Sequence, residues 1–228
     1  MSNFLIIGGS SGIGFSLTQK MISENQKPIV IARQQRELNT EQVDFFTADV
    51  LNDSLPDINS PINGLAYCPG SITLKPFRSL KEEDILSDFR INVLGAVKAI
   101  QKYLPNLKQA QSASIVLFST VAVETGMNFH SSIAIAKGGV EGLMRSLAAE
   151  LAPAIRVNCI ALSLTQTPLA SRLIDSEQKL AASKERHPLK TIGEADDVAS
   201  LAYWLLSDQS KFVTGQVFKM DGGMSGIK

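Results

Sequence analysis

Seven short, mostly apolar runs punctuate the chain: FLIIG (4–8), PIVIA (28–32), VDFFT (43–47), GLAYC (64–68), SIVLFS (114–119), IRVNCIA (155–161) and QVFKM (216–220). Most lack the apolar–polar alternation of a half-solvated strand, so they predict strands covered on both faces. Between them lie stretches with helical spacing, near 13–24, 81–109, 132–151, 167–184 and 195–206. In the last of these, Val198, Leu201, Ala202 and Leu205 recur at the interval of one helix face. Strand alternating with helix predicts an α/β chain with a parallel sheet and helices on both of its faces. No repeat, low-complexity tract or Pro/Gly-rich linker divides residues 1–228, which read as one domain.

Composition narrows the picture by exclusion. Hydrophobic residues make up 44% of the 228, enough for a sizeable core and too many for a disordered chain. The 22 basic and 22 acidic residues cancel, and no basic stripe with interleaved aromatics appears, which argues against a nucleic-acid partner. Cys68 and Cys159 each sit inside an apolar run, and two such cysteines make neither a metal set nor a disulfide framework. They read as reduced core thiols of a cytoplasmic protein. The N-terminus runs directly into FLIIGG without the basic start of a signal peptide, and no apolar run reaches the length of a membrane span.

The first strand is followed by GGSSGIG, Gly8 to Gly14, and then by a helix. Small residues let the backbone approach a diphosphate, while free amides and the helix dipole face the anion. The loop contributes Gly8, Ser10, Ser11, Gly12, Ile13 and Gly14. A glycine loop alone also fits a plain tight turn. Its position, between the first strand and the first helix, is the context that a dinucleotide site requires.

With its surroundings, this loop resembles that of the short-chain dehydrogenase/reductase family. IGGSSGIG (7–14) matches T-G-x-x-x-G-x-G at all but its first position, where Ile7 stands for Thr. Asp49-Val50 looks like the Asp–apolar pair that holds the adenine. Tyr67-Cys68-Pro69-Gly70 occupies the place of N-N-A-G and keeps only the glycine. Asn92, in INVLGA, matches the active-site helix asparagine. IVLFST (115–120) ends at the position of the active-site serine. VNCIALSLTQT (157–167) is similar to V-N-x-I-x-P-G-x-x-x-T, with Leu162-Ser163 for Pro-Gly and with Thr165 and Thr167 beside the cofactor. VTGQVFKMDGG (213–223) is close to the C-terminal signature. The resemblance implies a Rossmann-type doubly wound sheet of seven parallel strands, with one NAD(P)-binding domain spanning the chain.

The second apolar run ends IVIARQQR, with Arg33 and no acid nearby. A carboxylate there would accept from a ribose 2′-OH, whereas an arginine suits a 2′-phosphate. NADP(H) is therefore expected over NAD(H), against the plainer reading of Arg33 as a solvated loop cation. Ser10 can add a hydroxyl.

In the family, a tyrosine passes the proton while hydride moves between nicotinamide and carbonyl carbon. A lysine one turn later lowers the tyrosine pKa and binds the nicotinamide ribose, a serine holds the substrate oxygen, and the asparagine helps hold a water relay. The resemblance implies that Lys137 is that lysine, that Thr120 holds the serine position, and that Ile133 stands where the tyrosine is expected. Tyr67, Tyr103 and Tyr203 do not match that slot. General acid–base help contributes about 10²–10⁴ in rate, so its loss raises the barrier by roughly 3–5.5 kcal/mol. His130, just before the helix, is the candidate substitute donor, since imidazole titrates near neutral pH. His187, in ERHPLK, is assigned to the loop before the last helix.

Two functions stay open on these residues. One is an NADP(H)-dependent oxidoreductase acting on a carbonyl, an alcohol or a related small molecule, with Asn92, Thr120, Lys137 and His130 in its site. The other is an inactive nucleotide-binding member that serves as a sensor or partner subunit. The resemblance implies a homodimer through helices near 92–109 and 132–151, or a homotetramer that also uses the last helix and strand, and Ile135, Val140 and Leu143 serve either an interface or the core. It also makes 167–187 the substrate lid.

Overall fold

All seven apolar runs become strands of one sheet in the computed structural model, which describes residues 3–227. In chain order the strands are β1 (Phe4–Ile7), β2 (Ile29–Ala32), β3 (Asp44–Thr47), β4 (Gly64–Tyr67), β5 (Ala113–Thr120), β6 (Ile155–Leu162), the short pair β7 (Thr165–Gln166) and β8 (Gly193–Glu194), and β9 (Val217–Met220). The main sheet runs β3-β2-β1-β4-β5-β6-β9 with every neighbouring pair parallel. The chain winds outward from β1 to β3, then crosses back to β4 and winds the other way. This reversal opens a crevice at the strands' carboxyl ends between β1 and β4, where doubly wound sheets bind ligands.

The helices are α1 (Gly12–Ser23), α2 (Glu82–Phe89), α3 (Gly95–Gln109), α4 (Ala122–Thr125), α5 (Ser131–Leu151), α6 (Glu177–Glu185) and α7 (Ala195–Leu206). Side chains alternate across a strand, so each central strand feeds two cores. Leu5 and Ile7 of β1 pack with Tyr103, Val140 and Met144 on one face. Phe4 and Ile6 pack with Leu17, Val198 and Leu205 on the other. Strands with two buried faces need apolar residues at every position, which is why their sequence shows no period of two.

Three elements depart from the sequence expectation. β3 forms the exposed edge of the sheet, and Phe46 is 37% exposed. The helical stretch 81–109 contains a π turn at Arg90–Leu94, between α2 and α3. The stretch 167–184 is two pieces. Thr167 caps a 3₁₀ turn at Pro168–Leu173, and Ser176 starts α6 by accepting from the Lys179 amide. Hydroxyls that satisfy otherwise unpaired first-turn amides end one element and begin the next. Among the described residues, no helix is long and apolar enough to cross a membrane.

Candidate active site

The glycine loop is built by close backbone packing. A Cβ on Gly14 would come 2.3 Å from the Gly8 carbonyl oxygen, and one on Gly9 would meet Val30 at 2.8 Å and Thr18 at 2.9 Å. Gly8 and Gly12 hold positive φ, 78° and 53°, which L side chains rarely adopt. Thr18 Oγ1 donates within reach of the Gly9 and Gly14 carbonyls, at 3.0 and 2.9 Å, and locks the turn from beneath. Ser11 is the N-cap of α1 and makes no side-chain cap. The first amides of α1, from Gly12 to Gly14, have no partner within the helix and suit an anion. Thr167 comes against the same loop: a Cβ on Gly12 would stand 3.5 Å from Thr167 Cβ. Residues more than 150 apart in sequence thus meet at one glycine-rich turn.

Arg33 is exposed just past β2. Asp49 lies near enough to Arg33 to feel its charge. Its carboxyl is held below the usual range, chiefly by the Leu51 amide (2.9 Å), with Asn52 and Arg33 adding to the effect. Val50 is buried beside it. Pro69 closes over Gly8, whose Cβ would meet the proline ring at 3.1 Å. Burial pushes the Cys68 thiol up to about 12, so it is a neutral wall at neutral pH.

The catalytic candidates converge on a cleft of about 320 Å³. Thr120, His130, Ile133, Lys137, Cys68, Gly70 and Thr165 all line it. Lys137 Nζ donates to the Phe118 carbonyl at 2.8 Å, and desolvation lowers its ammonium to about 8. Asn92 sits in the π turn, where its Nδ2 donates to the Asp88 carbonyl at 2.8 Å. Its buried Oδ1 has no hydrogen-bond partner. A Cβ on Gly70 would stand 3.1 Å from that oxygen and 3.8 Å from Lys137 Nζ. Gly70 therefore keeps a gap between an unpaired acceptor and the Lys137 ammonium, as a bridging water requires. Thr120 Oγ1 accepts from the Ala122 amide at 3.3 Å, which leaves its hydrogen for the cleft. Ile133 is buried on α5, one turn before Lys137. His130 is the N-cap residue of α5, and its Nδ1 lies 2.7 Å from the Asn128 carbonyl.

Tyr67 and Tyr103 are buried and spend their hydroxyls on the Ile91 and Pro56 carbonyls, at 2.6 and 2.8 Å. Two groups at the site went unrecognised in the sequence. His187 does lie between α6 and β8, yet it is 1% exposed, lines the cleft and meets Ser163. The signal was there: Ser163 replaces a glycine, and a hydroxyl half-buried at that place seeks a partner. Asp88, fully buried, accepts from Ser71, Thr73 and Ser132 around Asn92. No motif pointed to it.

The family model described as enoyl-(acyl carrier protein) reductase matches residues 8–225. A tropinone reductase homolog of Arabidopsis thaliana is 28% identical over 242 residues, covering 98% of this chain and 92% of that one. The 3-oxoacyl-[acyl-carrier-protein] reductase FabG of Thermotoga maritima is 35% identical over 146 residues, 64% of this chain and 58% of that one. A solved short chain dehydrogenase family protein from Francisella tularensis superposes with a TM-score of 0.90 at 26% identity, covering 99% of both chains. Glycine cradle, strand order and the match along nearly the whole length agree, and the chain belongs to the short-chain dehydrogenase/reductase family of oxidoreductases.

Proposed function

We propose that the protein is an NADP(H)-dependent oxidoreductase that reduces a small carbonyl compound, or oxidises the matching alcohol, at a site where Ile133 takes the place of the family's tyrosine. The observation that carries this reading is the convergence of Asn92 Oδ1 and Lys137 Nζ on the gap left by Gly70, beneath the cleft. A member that had abandoned chemistry would have no need to keep a buried acceptor unpaired.

A nicotinamide bound there supplies or takes up the hydride. The cradle from Gly8 to Gly14 faces the diphosphate, and Asp49 and Val50 the adenine. Cys68, Pro69 and Gly70 form the wall over the loop, with Thr165 and Thr167 on the far side. Arg33, exposed and with no carboxylate at the end of its strand, suits a 2′-phosphate. Lys137 holds ribose hydroxyls, and the hydroxyl of Thr120 donates to the substrate oxygen. The proton comes from a group other than residue 133, for which the sequence alone offers His130 or water. Ile72, Leu74, Met127 and Leu173 make much of the cleft apolar, which favours an apolar ketone, a quinone or an activated alkene. We further propose a homodimer or homotetramer working in the cytoplasm, with 167–187 as substrate lid.

The test is oxidation of NADPH and NADH by wild type, Ile133→Tyr, Lys137→Ala and Arg33→Ala on a panel of ketones, dicarbonyls and quinones. Expected are turnover by wild type that Lys137→Ala abolishes, and about tenfold weaker NADPH binding in Arg33→Ala with NADH unaffected. Equal use of both cofactors by wild type and Arg33→Ala would reject the 2′-phosphate assignment. An inert wild type beside an active Ile133→Tyr would favour a nucleotide-binding sensor or partner subunit.

A further inference from the structure

Ile133 has no proton to give, but the cleft contains a hydroxyl that is wired for proton movement. Ser163 follows Leu162, which pairs in register with Thr120 on the adjacent strand. Ser163 Oγ lies 2.9 Å from His187 Nε2, and Nδ1 of the same ring lies 2.8 Å from the Ser183 carbonyl. A carbonyl only accepts, so Nδ1 carries hydrogen. Nε2 of the neutral ring is then an acceptor, and the Ser163 hydroxyl is its donor. A hydroxyl on an imidazole whose far nitrogen is fixed by a third group is the arrangement that moves protons on and off oxygen. His130 lacks this: its Nδ1 turns back to Asn128 in an exposed contact. His187 and Ser163 also line a second cavity, of about 420 Å³. The buried imidazole therefore borders both the cleft and this second cavity.

We propose that Ser163 and His187 form a proton relay that supplies the proton lost with the tyrosine, with Ser163 as the group that touches the substrate oxygen. The proposal rests on the oxidoreductase reading above. In the reductive direction the carbonyl carbon gains a C–H bond with an electron pair from the dihydronicotinamide, which is oxidised, and the C=O π pair moves to oxygen. The O–H bond of Ser163 breaks as its proton passes to that oxygen. For this direction the ring is first protonated at Nε2 as well, which turns the Ser163 hydrogen toward the substrate. Ser163 Oγ then takes the Nε2 proton of that imidazolium, and the ring, still protonated at Nδ1, regains a proton from water in the second cavity, which leaves hydroxide to solvent. Glu194, Asp197 and Asp221 share that cavity with the ring, and Arg186, Lys137 and His130 share the cleft. Lys184 and Lys190 meet His187 through backbone hydrogen bonds.

The test has two arms. The chain has two histidines, so ¹⁵N NMR of the imidazoles, assigned with His187→Asn, reads the ring without turnover. The neutral His187 ring is expected to be protonated at Nδ1, with Ser163→Ala moving the Nε2 signal. A ring protonated at Nε2 overturns the relay. The second arm follows NADPH binding, and NADPH oxidation with diacetyl and 9,10-phenanthrenequinone, across about pH 5 to 9. His187→Asn and Ser163→Ala are each expected to slow turnover about 10²-fold with NADPH affinity unchanged, and to remove the wild type's fall in rate as pH rises. Ser163→Ala, at the cleft wall, keeps the test valid if His187→Asn does not fold. If that fall persists in His187→Asn and vanishes in His130→Asn, His130 is the donor and the relay is wrong. A wild type that binds NADPH and reduces neither probe also overturns the relay. One that does not bind NADPH sinks the functional reading itself, and the relay with it.

Discussion

Lys137 Nζ donates to the Phe118 carbonyl from a largely buried position, and desolvation holds its ammonium at about 8, against 10.5 for a free lysine. The unfolded chain keeps this proton to about 10.5, while the folded chain gives it up from about 8. Between those values the unfolded state binds more protons, so stability rises with pH across that window, and the cost of burying the charge is fully present below it. The whole shift corresponds to roughly 3 kcal/mol, which partial exposure and the lost Phe118 hydrogen bond cut to about 1–2 kcal/mol for removal of the charge. Lys137→Met, without cofactor, is expected to melt a few degrees above wild type at pH 7, with the difference shrinking by pH 10. Calorimetry at the two pH values checks this. A gain that is absent, or equal at both, means the lysine is not held at a cost. A side chain kept against stability is one kept for a ligand.

At the scale of elements, the site hangs on a carboxylate that no motif contains. Asp88 lies in the last turn of α2, just before the π turn, and its two oxygens accept from Ser71 Oγ and Ser132 Oγ, each at 2.6 Å. The Thr73 amide adds a bond at 3.2 Å and the Thr73 hydroxyl one at 3.3 Å. Asp88 thereby joins the loop after β4, α2 and the first turn of α5, the helix that carries Ile133 and Lys137. Its backbone carbonyl also holds Asn92. Asp88→Ala would leave these donors unpaired in the interior and is expected to cost about 3 kcal/mol. Asp88→Asn, with hydroxyls free to rotate toward its carbonyl, should cost about 1 kcal/mol. Chemical denaturation would measure both, and equal losses would show that packing rather than charge matters here. The π turn belongs to the same design. A widened turn is a local departure from helical spacing, so periodicity read 81–109 as one helix and passed over the defect that presents Asn92.

The whole fold was legible because the buried central strands write continuous apolar runs, and the glycine loop writes its own context. Lys137, Asn92 and Thr120 were legible through motifs at short spacing. Asp88 and the Ser163–His187 pair were not, because each depends on partners 15 to 44 residues away that only the folded chain brings together. The stretch 167–184 was read as one helix because the caps at Thr167 and Ser176 are single hydroxyls in a polar stretch. The expectation for Ile135, Val140 and Leu143 divides: Val140 is buried, Leu143 packs against the core, and Ile135 is 51% exposed. Ile135 has company. Leu86 on α2 and Leu94 in the π turn are 41% and 48% exposed, on helical segments that pack against α5. Apolar side chains collected on neighbouring helices call for a cover, and a second copy of the chain can offer the same face in return. Sedimentation of wild type at micromolar concentration is expected to give a dimer or tetramer, and Leu94→Glu and Ile135→Glu to shift it toward monomer. Two buried carboxylates per interface, one from each copy, would oppose association by several kcal/mol. A monomeric wild type, or glutamate variants that assemble as wild type does, would leave this face without a partner and place any assembly elsewhere on the molecule.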